Sequence, residues 1–512
     1  MSGRTVLLVA VLLVGAALIG YPFASPPGPL RQGIYVEGGL GAPEGLNPLV
    51  HRDMVSRRAW GPIFDGLVVV DGGGRVSPGL AESWEVSADG REWTFRLRDN
   101  VAWHDGRPFT STDVVFTVES LAHPAFPGPL HTIWAGRSAR RPDEHTVVIT
   151  LPEPDFGFPY ELDLPVVPRH LLAGTPAHRW FEAAFSERPL GTGPYLLEAW
   201  DREAGELRYR ANAGYFRGRP AVARLVYRET AEPGPAGFFQ AGLAGGPISP
   251  GQAMAFRMRG YRVYRWPSPW YWAVIFNLRE GRPLVDPGFR RAWVEAAGRH
   301  PPGSLPVHQP FFAYPWIEPP AVPACRGVPS LLLRPFLRPA APPGAVTLLA
   351  WDQGQAELAI AEQLARELGR AGWKVRILRL PFSELLATLG DPGADWDALV
   401  WRWDLVADPE VTDLFHSARV PMGGAGGLQG GANLGGYSNP EVDRLLEAAR
   451  RTPPGSAQGD LLTRVAAILN HDRAYHFLWT EPNYFAIRRE VRGFAPGAFA
   501  THWNLWAWRV GR

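Results

Sequence analysis

Three observations predict an α/β protein with more than one domain. Apolar strands alternate with amphipathic helices between Val346 and Pro409 in the order βαβαβα, the pattern of a parallel sheet covered by helices. A chain of 512 residues is longer than one ordinary hydrophobic core supports. Its 46% hydrophobic and 20% charged residues are those of a folded chain, not a disordered one.

The elements follow in order. Met1 to Gly20 carries one basic residue, Arg4, and then an apolar run from Val6 to Ile19, the length of a signal-peptide core and short for a spanning helix. Residues 1–25 are therefore expected to be a signal peptide or an uncleaved N-terminal anchor, and the chain to be exported to the periplasm or the outer face of the membrane. No cysteine follows the run to carry a lipid. A Pro/Gly linker, Pro26 to Gln32, leads to a first strand near Ile34 to Val36. Trp93, Phe95 and Leu97 alternate with polar residues after an Asp89-Gly90 turn, which predicts a half-buried strand. Thr110 with Asp113 three residues on reads as a capping box opening a helix.

The βαβαβα stretch predicts strands at Val346–Ala350, Lys374–Leu380 and Asp397–Trp401. Helices are expected over Glu357–Arg370 and Ser383–Leu389, with a third opened by Asp408-Pro409 as N-cap and first-turn proline. In open parallel sheets ligands sit outside the carboxyl ends of the strands. Those ends are Trp351-Asp352 and Arg402-Trp403-Asp404, so two carboxylates and two indoles are expected at one crevice.

Several chemistries are excluded. A net charge of +2 without a basic stripe argues against nucleic acid. Cys325 stands alone, so no internal disulfide forms. The 13 histidines make no H-E-x-x-H pattern, so neither metal nor cofactor is expected. His104 and Asp105 look like a catalytic pair, but neighbours on an extended strand point to opposite sides, and the predicted role is structural. The glycine run from Gly423 to Gly436 lacks the Lys-Ser/Thr of a phosphate loop and reads as a mobile loop. Among 21 tryptophans most serve the core; Trp403, at a strand end, is the best ligand platform.

The ordered blocks LAESW, TFRLR and VAWHDGRPFT between Leu80 and Thr110, GTGPYLLEAW from Gly191, NAGYFRGRP from Asn212, IFNLREGRPLVDPGFRRAW from Ile275 and GYSNPEVDRLLEAARRT from Gly436 resemble the family 5 extracellular solute-binding proteins, the peptide and nickel type that serve ABC importers. The likeness runs through nearly the whole chain after the linker. It departs at Gly246-Pro247-Ile248-Ser249 and in the proline-rich stretch from Gly298 to Gly344.

That resemblance implies a two-lobed periplasmic-binding-protein-like fold of type II. Lobe one would span 34–265 with a nested subdomain at about 50–188, lobe two 266–481, and 482–508 would return to lobe one. It implies a monomer that captures an oligopeptide-like solute by hinge closure, delivers it to the permease subunits of an ABC importer and breaks no bond. The ligand-contacting set is Trp403, Asp404, Arg402, Asp352, Trp272 and Asn47, with Asp404 facing a ligand amino group. An oligosaccharide or metal chelate is the alternative ligand. A glycosidase using Asp352 and Asp404, or an anchored sensor, is the alternative of another class.

Overall fold

The computed structural model describes residue 30 and residues 33–511, apart from 128–129, 231–233, 298–300, 302, 311–343, 406, 410 and 425–426. The signal segment and Cys325 lie outside the described residues, as does most of the proline-rich stretch. The chain divides into two compact units. One holds residues up to Glu153, Pro159–Trp266 and Asn483–Arg512; the other holds Pro154–Phe158 and Pro267–Pro482.

The first unit contains two large sheets, besides the two-stranded ladders Val68–Val70 with Val76–Pro78 and Val491–Arg492 with Arg509–Val510. Its elements in chain order are β1 (Ile34–Leu40), α1 (Met54–Trp60), β2 (Ala81–Val86), β3 (Glu92–Leu97), α2 (Ser111–Ala122), β4 (Ser138–Asp143), β5 (Thr146–Thr150), β6 (Tyr195–Asp201), β7 (Glu206–Ala211), β8 (Arg224–Glu229), β9 (Gly245–Pro247) and β10 (Tyr261–Pro267). A strand from the end of the chain, β16 (Pro482–Arg488), completes the larger sheet, whose order is β10-β16-β9-β1-β8-β7-β6. β1 runs parallel to β8 and to β9, while β6, β7 and β8 form an antiparallel meander. The smaller sheet is β2-β3-β5-β4. In β3 the alternation holds, with Trp93, Phe95 and Leu97 buried. The capping box at α2 is formed: Asp113 accepts from the Thr110 N–H at 3.1 Å, and the Thr110 hydroxyl accepts from the Thr112 N–H at 3.3 Å.

One buried charge ties the end of the chain to its first strand. Glu37 of β1 is 2% exposed and accepts from Arg58 of α1 at 2.6 Å and from the Tyr35 hydroxyl at 3.0 Å, with the His502 ring nitrogen 2.8 Å away. Burial alone would raise the carboxyl's pKa, but the charges and hydrogen bonds of His502 and Arg58 outweigh it and hold the pKa below the usual glutamate value. A depressed folded pKa stabilises the protein above the carboxyl's unfolded value, and that stability is lost as pH falls through the folded one. Glu37→Gln should cost ~3 kcal/mol at pH 7 in urea unfolding, since it leaves Arg58 without its partner. The gap to wild type should shrink in acid below pH ~4. An equal gap at both pH values would mean the carboxylate charge contributes nothing.

The second unit is built on one five-stranded sheet. Its elements are β11 (Trp270–Phe276), α3 (Pro287–Ala296), β12 (Ala345–Trp351), α4 (Gln355–Arg370), β13 (Lys374–Leu380), α5 (Phe382–Gly390), β14 (Ala398–Asp404), α6 (Thr412–Phe415), α7 (Pro440–Arg450), α8 (Ser456–Asp472) and β15 (Tyr475–Phe477). The sheet order is β13-β12-β14-β11-β15. β12 is parallel to β13 and β14, as the βαβ pattern predicts, but β11 pairs antiparallel with both β14 and β15, so the sheet is mixed. One face packs Trp272, Val274, Phe276, Val346, Leu348, Ala350 and Val400 against α3 and α4, which contribute Trp293, Ile360, Ala361, Leu364 and Leu368. The helix α4 stops where Gly372 takes φ +92°, a conformation without penalty only for glycine.

Two of the expected boundaries are corrected. β14 runs on to Asp404, because β11 offers seven consecutive partners from Phe276↔Ala398 to Trp270↔Asp404. The helix after it does not open at Asp408-Pro409. It spans only Thr412–Phe415 with Val411 at its cap, and the Asp408 carboxylate instead lies against Gly157, where a Cβ would come within 2.4 Å of its Oδ2. Within the glycine run, Met422–Gly424 and Gly427–Gln429 pair as a short antiparallel ladder, a local order the loop reading did not foresee.

Candidate functional site

The end of β14 is organised by alternation. Cross-strand partners in an antiparallel pair share a face, so Asp404 and Arg402 lie with Trp270 and Trp272, while Trp403 and Trp401 lie with Tyr271 and Ala273. This corrects the expectation of one crevice holding both: Trp403 and Asp404 are successive residues of a strand and present to opposite sides of the sheet. The amino end of the strand is anchored firmly. The Asp397 carboxylate accepts from the Thr347 N–H at 2.7 Å, and the Asn277 side chain donates to the Trp396 carbonyl at 2.8 Å. At the carboxyl end the Leu405 N–H reaches the Pro269 carbonyl at 2.7 Å, which extends the ladder one step past Asp404.

On the first face Arg402 and Asp404 form an ion pair at 3.4 Å, with side chains 45% and 68% exposed. The guanidinium sits over the rings of Trp270 at 5.5 Å and Trp272 at 6.0 Å. Trp272 itself is 4% exposed and belongs to the core under α3 and α4, which leaves it no open ring face for a ligand.

On the second face the aromatics line up. Trp401 meets Trp403 edge-on at 6.1 Å, Phe382 stacks on Trp401 at 6.5 Å with ring planes 13° apart, and Trp351 meets Phe382 at 5.7 Å. Phe382 is the first residue of α5, set there because β13 ends at Leu380 and Pro381 turns the chain; it is 47% exposed, and Trp351, Trp401 and Trp403 are half-buried. The row therefore spans the carboxyl ends of the parallel strands β12 and β14. The sequence reading singled out Trp403 but missed Phe382; its signal was an aromatic directly after Leu380-Pro381, at the end of a predicted strand.

Asp352 follows β12 and is exposed, and its N–H donates to the Leu380 carbonyl at 2.9 Å. Asp404 has Arg402, not Asp352, as its ion-pair partner in the structure. Asn47 belongs to the first unit and is fully buried. Its side-chain oxygen accepts from the Leu49 N–H at 3.2 Å and its carbonyl from the His51 N–H at 2.9 Å, while its amide nitrogen makes no hydrogen bond. The structure thus brings together Arg402 with Asp404, and Trp403 with Trp401, Phe382 and Trp351.

His104 and Asp105 diverge. The Gly191 N–H donates to Nδ1 of His104 at 3.3 Å and Nε2 faces the Gly193 carbonyl at 3.0 Å, a pair of contacts that a neutral ring satisfies. Burial holds its pKa down at about 4. Asp105 turns instead to His170 at 3.0 Å and Arg107. Among the described residues no group of three or more His, Cys, Asp or Glu is placed to hold a metal ion, and no helix is long and apolar enough to cross a membrane.

The division between core and ledge predicts unequal costs. Trp272→Ala should lose ~3 to 5 kcal/mol in denaturant unfolding, as a cavity in a packed core does. Trp401→Ala, half open to solvent, should lose ~1 kcal/mol. Equal losses would place Trp401 in the core as well.

Comparison with known proteins follows from the same chain. Residues 75–298 match the family described as bacterial extracellular solute-binding proteins, family 5 middle. Protein XP55 of Streptomyces lividans is 28% identical over 476 residues, covering 86% of this chain and 82% of that protein. The oligopeptide-binding protein AppA of Bacillus subtilis is 22% identical over 94% of this chain and 93% of its own. Its structure in complex with a nonapeptide superposes with a TM-score of 0.66 over 94% of this chain and 99% of that one. HbpA2 of Haemophilus parasuis, 18% identical, gives a TM-score of 0.77 over 94% and 100%. The likenesses to solved structures show the fold, and the family match bears out the resemblance read from the sequence blocks.

Proposed function

We propose, from the match of residues 75–298 to the family 5 extracellular solute-binding proteins, that the chain captures an oligopeptide-like solute outside the membrane and passes it to the permease subunits of an ABC importer. The observation that carries this reading is the end of β14, where an exposed Arg402–Asp404 pair ends a strand whose other face bears the aromatic row of Trp351, Phe382, Trp401 and Trp403. An exposed ion pair contributes at most about 1 kcal/mol, so a ligand ammonium can take Asp404 from Arg402 at little cost and leave the guanidinium for a ligand carboxylate or carbonyl. The aromatic row lies on the opposite face of β14, so it can serve only side chains of a peptide that passes over the carboxyl end of the strand, away from the ammonium held at Asp404. The nonapeptide bound in the structure of AppA supports the ligand class.

Capture by closure of two lobes is part of this proposal. The chain passes between the two units at Trp266-Pro267 and Pro482-Asn483, and twice more on either side of Pro154–Phe158; crossings of this kind are what a hinge requires. X-ray scattering should show a smaller radius of gyration with bound peptide than without. An unchanged profile at saturating peptide would remove the closure step.

A second reading rests on the stacked pair of Phe382 and Trp401, since flat aromatic faces also suit sugar rings. Titration calorimetry separates the two with a tetrapeptide, its N-acetylated form and a tetrasaccharide of glucose. The tetrapeptide should bind, and Asp404→Ala should cost ~2 kcal/mol or more, because the ammonium is left without its partner. Acetylation should weaken binding to wild type but add little in the Asp404→Ala protein, as both remove one interaction. Losses that add in full would show that Asp404 does not touch the amine, and binding of the tetrasaccharide alone would establish the second reading.

A further inference from the structure

A groove of about 180 Å³ opens in the first unit where the parallel strands β1 and β8 reach their carboxyl ends. It is lined by Gly41, Pro43, Trp200, Arg202, Leu207 and Glu229, among others. None of these residues belongs to the β14 site. The volume is below the ~300 to 1,000 Å³ of sites for drug-sized molecules, so an occupant is small.

Its walls carry two opposite charges over an apolar floor. Arg202 lies flat on the Trp200 ring, with its guanidinium carbon 3.7 Å from the ring centroid, and one N–H group is paired with Glu187 at 2.7 Å. Arg202 and Glu187 are both exposed, so the pair holds the fork only loosely; the stack on Trp200 orients it, and its other N–H groups remain as donors with the geometry that a carboxylate fits. Opposite in charge is Glu229, the last residue of β8, whose backbone N–H donates to the Gly205 carbonyl at 2.7 Å. Its side chain folds over the tip of the β6–β7 hairpin, where a Cβ on Gly205 would come within 3.0 Å of the Glu229 Cβ and 3.3 Å of its Oε2. Gly205 also takes φ +61°, so the tip is shaped for a residue without a side chain, and the close approach leaves Glu229 at the groove. Pro43 and Leu207, both buried, and the half-buried Trp200 ring supply apolar contact.

We propose that this groove binds a small zwitterion, a free α-amino acid with an aliphatic side chain: its carboxylate on Arg202, its ammonium on Glu229 and its side chain on Pro43, Leu207 and the Trp200 ring. A ligand of either single charge would engage only one of the two charged walls, and a peptide exceeds the volume. The site stands on residues of the first unit and does not rest on the reading of the β14 ledge.

The test titrates the full chain with L-leucine, leucinamide and N-acetyl-leucine, in wild type and in the variants Arg202→Met and Glu229→Gln, each first checked for an unchanged unfolding midpoint. Leucine should bind wild type with a Kd of roughly 1 mM or tighter, and each blocked analogue should bind at least ~10-fold more weakly. Arg202→Met should lower leucine to the level of leucinamide without further weakening leucinamide. Glu229→Gln should do the same relative to N-acetyl-leucine. Absence of leucine binding, or binding that neither variant changes, would overturn the proposal. Tetrapeptide titrated in the same proteins keeps the two sites apart: its binding should survive both variants and fall in Asp404→Ala. Wild type that binds leucine as described but no tetrapeptide would sink the peptide-capture reading alone.

Discussion

The seven-residue antiparallel register between β11 and β14 is the constraint on which the candidate site depends. Once Phe276 faces Ala398 and Trp270 faces Asp404, every side chain at the end of β14 is assigned to one of two surfaces. A slip of one residue would exchange the faces, sending Trp401 and Trp403 to the side of Trp272 and turning Arg402 toward the buried Tyr271 and Ala273, so burial on both faces enforces the pairing. Asp397 and Asn277 add polar anchors at the buried end, each satisfying a backbone group that would otherwise be left unpaired. The charged pair and the aromatic row thus present to opposite sides because they are successive residues of one strand.

Much of the second unit was legible in the sequence for the same reason. The stripe of Ala361, Leu364 and Leu368 on α4 and the apolar run of β12 carry periodicities that burial imposes, and both elements formed where the pattern placed them. The capping box at Thr110 and Asp113 and the stop at Gly372 are local chemistry, readable without tertiary context. What was not legible came from long-range pairing. The antiparallel neighbour β11 lies far from β14 in sequence, so nothing local announced that the sheet would be mixed. Asp408 shows the limit of local rules. Asp-Pro is a sound helix start, yet the close approach of Gly157 from a distant segment gives its carboxylate another place.

The candidate residues divide along the same line. Strand alternation separates Trp403 from Asp404, whereas His104 and Asp105 diverge because they stand in a turn closed by the Gly106 N–H on the Trp103 carbonyl, not on an extended strand. Trp272 was placed in the ligand-contacting set; its burial under α3 and α4 follows from facing the same way as Val274 and Phe276, a period-two signal already present in the strand. Phe382 was missed because a lone aromatic after a proline has no periodicity. Asn47 reads in the structure as a turn former whose amide nitrogen is left without a partner, a role that composition and spacing do not reveal.

Capture of a peptide-like solute at the β14 ledge is tested most directly by native mass spectrometry of the protein purified without added ligand. The proposal predicts adducts with the masses of short peptides that disappear on partial unfolding and are absent from Asp404→Ala protein prepared alongside. Adducts spaced by hexose units, or peptide adducts carried equally by the Asp404→Ala protein, would contradict it.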